Sequence, residues 1–341
     1  MLKVGIIGFG YWGPNLVRNF HAVEDAQVVM ICDRDERALQ RAHKMFPGVP
    51  TCSDSLDLLH SPGIDIVAIA TPVSAHYHLA KEALMNGKHV FVEKPFTANS
   101  KQAEELIALA ESRNLLIMVD HTFLFTGAVC KIKELLDDDV IGDVMYYDSS
   151  RVNLGLFQSD VNVVWDLAPH DFSIINHLMP DAPVALSAQG IDFFSDGSES
   201  VAYVTAHFSG KRIAHFNFNW FSPVKIRRTL IGGSRKMLVW NDLVPDEKVR
   251  VYDKGVILDV NDGALGSIVQ YRTGDIYVPK LDGHEALLKE CEYFVACIKS
   301  GQKPMNDGVA GLKIVKMLEA CDASMKRNGL PVELDLASLA L

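Results

Sequence analysis

The sequence predicts an α/β protein in two parts: a doubly wound parallel sheet first, then an α+β domain with a large, mainly antiparallel sheet. Three observations predict it. A chain of 341 residues is too long for one ordinary core and suits two domains. The first 120 residues alternate short β-branched runs with helical periodicity, as βαβ units do. Later, strand-like runs are separated by two-residue turn signals, the mark of antiparallel hairpins.

Val4–Ile7 is apolar without polar alternation, as expected of a strand covered on both faces. Gln27–Cys32, Asp65–Ala70, His89–Val92 and Leu115–Val119 repeat that character. Between them, Ala75–Asn86 places Tyr77, Ala80 and Leu84 at helical spacing, and Gly87 supplies a stop. Ser100–Ser112 reads as a helix capped by Ser100, with Ala103, Leu106, Ile107 and Ala110 on one face. The expected boundary follows Asp120, giving domains 1–120 and 121–341. In the second, Ala128–Leu136 reads as a helix, followed by a strand ending near Asn153 and a short helix from Pro169 to Leu178. About seven strand-like runs lie between Val184 and Val260, with turns at Ser209-Gly210, Gly232-Gly233 and Lys254-Gly255. Gly263–Asp282 is aperiodic and expected as loops, and helices at Glu285–Lys299 and Val309–Arg327 close the chain.

Composition narrows the function. With 48% hydrophobic and 22% charged residues, the chain is a compact globular one rather than a disordered one. A net charge of −10 argues against a nucleic-acid surface, though not against a local basic patch for a phosphorylated ligand. Cys32, Cys52, Cys130, Cys291, Cys297 and Cys321 form no C-x-x-C pair and no metal-ligand spacing, so they read as thiols of a reducing compartment. The N-terminus enters a strand at once, leaving no room for a signal peptide, and no apolar run approaches the roughly 20 residues of a membrane span. A soluble, cytoplasmic protein with no membrane partner and no metal is expected.

Gly8-Phe9-Gly10-Tyr11-Trp12-Gly13 fits G-x-G-x-x-G directly after a strand, with a helix behind it and Asp33 about 20 residues beyond. In that context the pattern marks a Rossmann dinucleotide site. Gly8 makes the tight turn, Gly10 admits the pyrophosphate, and Gly13 lets helix pack on strand. Free N–H groups at the helix start favour the pyrophosphate, and Pro14 is tolerated there. Asp33 would accept from the ribose hydroxyls and repel a 2′-phosphate, favouring NAD, while Arg34 leaves NADP as the alternative. Thr71-Pro72, Glu93-Lys94-Pro95 and His121 follow strand ends on the same ligand-binding edge. His121 reads better as a residue stacked at the domain junction than as a catalyst.

Thr71-Pro72-x-x-x-His76, Gly87 to Pro95 with its Glu-Lys-Pro, and Asp166-x-x-x-His170 stand in the order found in one family. Together with the glycine motif, they resemble the glucose–fructose oxidoreductase/inositol dehydrogenase/rhizopine-catabolism family over essentially the whole chain. The resemblance implies hydride transfer between a hydroxyl of a sugar, polyol or nucleotide sugar and a nicotinamide. It implies that Lys94 lies beside the nicotinamide and the reacting hydroxyl, and that Asp166 and His170 supply acid/base machinery. It also implies a homodimer or homotetramer formed through the second-domain sheet. The sequence departs from the inositol dehydrogenase pattern at Ser173, where that branch tends to be acidic. Asn153-Leu154-Gly155-Leu156-Phe157-Gln158 and Trp165 to Asp171 resemble the nucleotide-sugar branch, which includes UDP-N-acetylglucosamine-uronate 3-dehydrogenases.

The expected cofactor contacts are therefore Gly8, Gly10, Tyr11, Trp12, Gly13, Asp33, Arg34, Thr71, Pro72, His76, Glu93 and Lys94. The expected substrate contacts are Lys94, Asn153, Asn162, Asp166 and His170, at an interdomain cleft. Oxidising a secondary alcohol needs a hydride acceptor and a base. Lys94 stabilises the alkoxide or acts as base if burial lowers its pKa; His170 titrates near neutrality, so the choice of base stays open. With Pro169 starting a helix, His170 would sit in the first turn, where the macrodipole disfavours imidazolium and Asp166 opposes that effect. His78 reads as packing or surface, and Asp137-Asp138-Asp139 as a solvated helix end without the spacing of a calcium loop. Two other functions fit: an NAD-dependent glycoside-cleaving enzyme on the same fold, and a cofactor-binding regulator without turnover. Inositol or a free sugar is the alternative substrate class.

Overall fold

The computed structural model describes residues 1–155, 161–193, 197–259 and 268–339. Contacts divide the chain into two compact units, Met1–Phe125 with His284–Glu319, and Thr126–Gly283 with Ala320–Leu341.

In the first unit, six strands form one parallel sheet in the order β3-β2-β1-β4-β5-β6. They are β1 Leu2–Ile7, β2 Ala26–Cys32, β3 Thr51–Cys52, β4 Ile66–Ile69, β5 His89–Glu93 and β6 Ile117–Asp120. Val4 to Ile7 are all buried, as both-face coverage requires. The helices are α1 Gly13–Ala22, α2 Glu36–Met45, α3 Ser55–Leu59, α4 Val73–Met85 and α5 Ser100–Ser112. The α5 bounds match expectation, but the cap is Asn99, whose side chain accepts from Gln102 N, and not Ser100. Strand order reverses between β1 and β4, so ligands belong beyond the carboxyl ends of these strands.

The second unit starts with α6 Gly127–Asp137, β7 Val144–Leu154 and α7 Val163–Leu178. It continues with β8 Ala185–Ile191, β9 Val201–His207, β10 Ile213–Asn219, β11 Phe221–Gly233, β12 Met237–Asn241 and β13 Val249–Tyr252. β14 Gly255–Asp259 pairs with β15 Ile268–Arg272 in a separate ladder, and β16 Ile276–Tyr277 and β17 Val332–Glu333 are short edges. The large sheet runs β16-β13-β12-β11-β7-β10-β9-β8-β17. Its described pairings are antiparallel except that between β7 and β10.

Three expectations need correction. The region Gly263–Asp282, expected as loops, contains β15 and β16; strands this short leave little periodicity. The helix expected to begin at Pro169 begins six residues earlier at Val163, with Pro169 inside it. The chain also does not divide simply at residue 120. Residues 284–319 return to the first unit, with all of α8 Ala286–Ser300 and most of α9 Gly308–Met325. There α8 packs on α1, and Phe294 lies 5.9 Å from Phe91, both fully buried. An amphipathic helix shows which face it buries but not which sheet it covers.

α7 lies against β9 and β10. Its Phe172 meets Phe216 edge-on at 5.3 Å and Phe218 at 6.2 Å. Beside this aromatic contact, Asp171 pairs with Arg151 Nε of β7 at 2.5 Å and accepts from Ser149 Oγ at 2.7 Å. The two charged side chains are 1% and 5% exposed. Removing one partner of a buried pair strands the other charge. Asp171→Ala is expected to lower stability by about 3–5 kcal/mol in chemical denaturation; a loss below about 1 kcal/mol would mean the pair is no anchor.

Candidate functional site

In the first unit the site is built on the turn after β1. Gly8 has φ +99°, and a Cβ there would stand 2.4 Å from Ala70 O; one on Gly13 would stand 2.0 Å from Gly8 O. Both positions therefore need glycine for chain packing. Gly10 differs, because a Cβ there would meet nothing within 4 Å, so its face is open to a ligand. Trp12 occupies the N-cap of α1 without a side-chain capping bond; Pro14 carries no N–H, and Trp12 O accepts from Asn15 N at 2.9 Å and from Leu16 N at 3.3 Å. Tyr11 is 86% exposed and stacks on Trp12.

Asp33 is fixed against this turn. Its Oδ2 accepts from Phe9 N at 2.6 Å and its Oδ1 from Asp35 N at 2.8 Å, leaving lone pairs for ribose hydroxyls. Arg34 is exposed. Arg41, which the sequence reading missed, donates from α2 to Phe9 O at 3.0 Å. Nothing near Arg41 in sequence signals that contact. The open Gly10 face and the oriented Asp33 both fit a dinucleotide.

On the same edge, Lys94 follows β5 half-buried, and its backbone N–H donates to Glu93 Oε2 at 3.1 Å. His76 is fully buried between two strand-end turns, with Nδ1 3.0 Å from Pro95 O and Nε2 2.7 Å from Thr71 O. Burial lowers its pKa, and the two carbonyls only partly oppose that shift. His76 thus joins the Thr71-Pro72 and Lys94-Pro95 turns. His121 is buried with neither ring nitrogen hydrogen-bonded, and desolvation takes its pKa down to about 4. It is a neutral packing residue. His78 is exposed, and among the described residues no three His, Cys, Asp or Glu could hold a metal.

In the second unit, α7 carries Asp166 and His170 four residues apart and so on one face. Trp220 Nε1 donates to Asp166 Oδ2 at 3.0 Å. Because α7 starts at Val163, His170 lies seven residues beyond its start, outside the first turn where the macrodipole acts. The expected depression of imidazolium by the helix start therefore does not apply. Ser173 is buried and donates to His170 O at 2.8 Å.

Asn162, expected to bind sugar hydroxyls, is the N-cap of α7. Its Oδ1 accepts from Val164 N and Trp165 N, each at 3.1 Å. Its Nδ2 donates to Glu199 Oε2 at 2.9 Å and to Asp322 Oδ1 at 3.1 Å. Those bonds use both amide hydrogens and both oxygen lone pairs. Trp165 Nε1 also donates to Asp322, at 2.8 Å. Asn153 ends β7 near Trp220: a Cβ on Gly155 would stand 3.3 Å from Asn153 Nδ2 and 2.9 Å from Trp220 Cδ1. Leu156, Phe157 and Gln158 lie outside the described residues.

Residues 2–121 match the family model of an oxidoreductase family with an NAD-binding Rossmann fold, and residues 129–239 match the GFO/IDH/MocA C-terminal domain. An uncharacterized oxidoreductase, YdgJ, of Escherichia coli is 31% identical over 77% of this chain and 80% of its own length. The chain belongs to the GFO/IDH/MocA oxidoreductase family. It is similar end to end to the UDP-N-acetylglucosamine 3-dehydrogenase of Acidithiobacillus ferrooxidans, at 26% identity over 92% of this chain and 94% of that protein. An oxidoreductase from Agrobacterium radiobacter, solved with NAD+, L-tartaric acid and magnesium, shares the fold with a TM-score of 0.81 at 19% identity, covering 99% of each chain.

This GFO/IDH/MocA chain is thus an NAD-binding oxidoreductase, and the open face of Gly10 and the oriented Asp33 fit its dinucleotide. A carboxylate at Asp33 would accept from ribose hydroxyls and repel a 2′-phosphate. Asp33→Ser is expected to bring the kcat/KM values for the two cofactors closer together. An unchanged ratio, or wild-type preference for NADP, would transfer the discrimination to Arg34 and Arg41.

Proposed function

We propose that this GFO/IDH/MocA protein oxidises a secondary hydroxyl of a nucleotide sugar, of the kind represented by the 3-position of UDP-N-acetylglucosamine-uronate, with NAD as acceptor. The observation that carries this reading is the end-to-end similarity to a UDP-N-acetylglucosamine 3-dehydrogenase, alongside ordered Lys94, Asp166 and His170. NAD, when bound, supplies the carbon that accepts hydride. Lys94 binds the sugar hydroxyl and offsets the charge that grows on its oxygen as the proton leaves. His170 takes that proton, imidazole being the side chain most often used as a general base. Asp166, one helical turn away and held by Trp220, orients His170. Asn153 is assigned to the sugar, whereas Asn162 is assigned to the helix it caps. Self-association as a homodimer or homotetramer is part of the same reading.

Substrate class is tested by thermal shift. UDP- or dTDP-linked hexoses should raise Tm, while free inositol at equal concentration should do little, because only a bound ligand stabilises the native state. Strong turnover of inositol or glucose, without response to nucleotide sugars, would reassign the substrate. Sugar cleavage without net NADH would instead indicate a glycoside-cleaving enzyme.

Division of labour is tested by substitution. Lys94→Met and His170→Asn should each lower kcat by about 10²-fold or more while NAD affinity stays near wild type. Asp166→Asn should lose less and move the pH profile of kcat/KM. Near-normal turnover in both the Lys94 and His170 variants would place the active site elsewhere.

A further inference from the structure

We propose that Asp120 is a positioning residue: with the carboxyls of Glu93 and Glu290 it forms a proton-sharing chain of one negative charge and two protons, and that charge holds the glycine loop and the strand end presenting Lys94. The proposal needs only NAD binding, so it stands or falls independently of which sugar is oxidised.

Asp120 ends β6, directly in register with Glu93 at the end of β5. Trp12 Nε1, from the cofactor loop, donates to Asp120 Oδ2 at 2.8 Å. Thr122 donates to Oδ1 through its N–H at 3.2 Å and through its hydroxyl. Glu290, on α8, lies on the other side and is 0% exposed. Its Oε1 accepts from His121 N and Asn306 Nδ2, each at 3.0 Å. Its Oε2 is buried without a hydrogen bond of good geometry, although the Thr122 hydroxyl lies close enough to favour the ionised form of Glu290.

Proton arithmetic follows from these contacts. Two carboxyls can hydrogen-bond to each other only if one carries a proton. Asp120 already accepts from Trp12 Nε1 and Thr122 N, so it is the acceptor, and the protons lie on Glu93 and Glu290; with the Thr122 hydroxyl shared between Asp120 and Glu290, the about four lone pairs of Asp120 are used. A protonated Oε2 resolves the otherwise unbonded buried oxygen of Glu290. Glu93 accepts from Lys94 N through Oε2, and its carboxyl is within hydrogen-bond reach of Asp120. Burial first, then the neighbouring Asp120 charge, raises both glutamates well above the usual carboxylate range. Glu93 keeps some surface exposure, but its carboxyl lies against Asp120.

The other titratable groups around the chain agree with this. Lys94 favours ionisation of Glu93 but does not outweigh burial and Asp120. His121 is neutral, and the Cys291 thiol beside Glu290 is pushed up by burial and by the carboxyls, so it stays neutral too. Glu292 adds like charge at Cys291, as does Glu285, which is itself ion-paired with Arg18 at 2.5 Å. A second ionised carboxyl would therefore gain no compensating cation except Lys94. Trp12 ties the charge to the cofactor turn, and Glu93 ties it to Lys94. Displacing it should loosen both.

The experiment compares the full-length protein with Glu290→Gln, Glu290→Ala, Asp120→Asn and Trp12→Phe. A carboxyl whose folded pKa is raised keeps its proton while the unfolded chain loses it above about pH 4.3, so its unfavourable contribution grows as pH rises toward the folded pKa. An amide donates to Asp120 without that proton requirement. The folding constant of Glu290→Gln relative to wild type should therefore rise with pH above the unfolded carboxyl pKa, by at most about tenfold per pH unit. Glu290→Ala should lose stability relative to Glu290→Gln throughout that range. Asp120→Asn should weaken the NAD Kd by about tenfold or more, as loss of a charged acceptor implies, and Trp12→Phe should weaken it in the same direction. A pH-independent stability ratio for Glu290→Gln would show that Glu290 is ionised in the fold and overturn the proton-sharing chain. If Asp120→Asn does not fold, Trp12→Phe decides, and wild-type NAD affinity in it would overturn the link to the cofactor loop.

Discussion

At the turn after β1, a helix comes closer to the strand before it than any side chain would permit. Gly13 lies against the Gly8 carbonyl, and Gly8 against the carbonyl of Ala70 at the end of β4. These contacts fix where α1 begins, and with it the direction of its axis. They also fix the turn whose Phe9 N–H binds Asp33 and whose Trp12 reaches Asp120. Any larger residue at Gly8 or Gly13 would push α1 away and break several contacts at once. The open space over Gly10 is a by-product of the same packing, since only a turn held from below can leave its upper face uncovered.

In the second unit, α7 plays the corresponding part. It is held to the sheet by apolar burial of Phe172 and by two polar anchors of different kinds. Asp171 is buried against Arg151 and Ser149 in the body of the helix, whereas Asn162 and Trp165 meet Asp322 at its start. Apolar packing alone tolerates small rotations of a helix; an ion pair with almost no exposure does not. Asp166 and His170 project from a helix whose rotation is fixed at two points.

Whatever depended on local chemistry could be read from the sequence. The glycine turn, Asp33 and the buried strands each announce themselves within a few residues, and so does the register of α5. What escaped was set by distant partners or by competing local signals. Asn162 followed by an apolar run is a helix-start signal, but Pro169 offered a second one, and a proline can sit inside a helix that other contacts hold. Asn153 and Asn162 looked alike as loop asparagines; the carboxyls of Glu199 and Asp322, remote in sequence, separate them. Arg41, Asp120 and Glu290 carried no motif, because their meaning lies wholly in what the fold brings beside them. The allegiance of α8 was hidden for the same reason.

The ionisable groups fall into two populations that the sequence does not distinguish. Several of those buried in the scaffold are neutralised or paired: Glu290 by a raised pKa, His121 by desolvation to the neutral form, and Asp171 by Arg151. Lys94, Asp166 and His170, in contrast, are only partly buried. A group that must exchange a proton within each turnover needs access to water or substrate, and deep burial would freeze its charge state. A group that must hold a loop or helix in place gains from the opposite condition, since a bond in low dielectric is stronger and exchanges less readily with water. The burial of these residues thus matches the division, in the proposed function, between groups that hold the scaffold and groups that react.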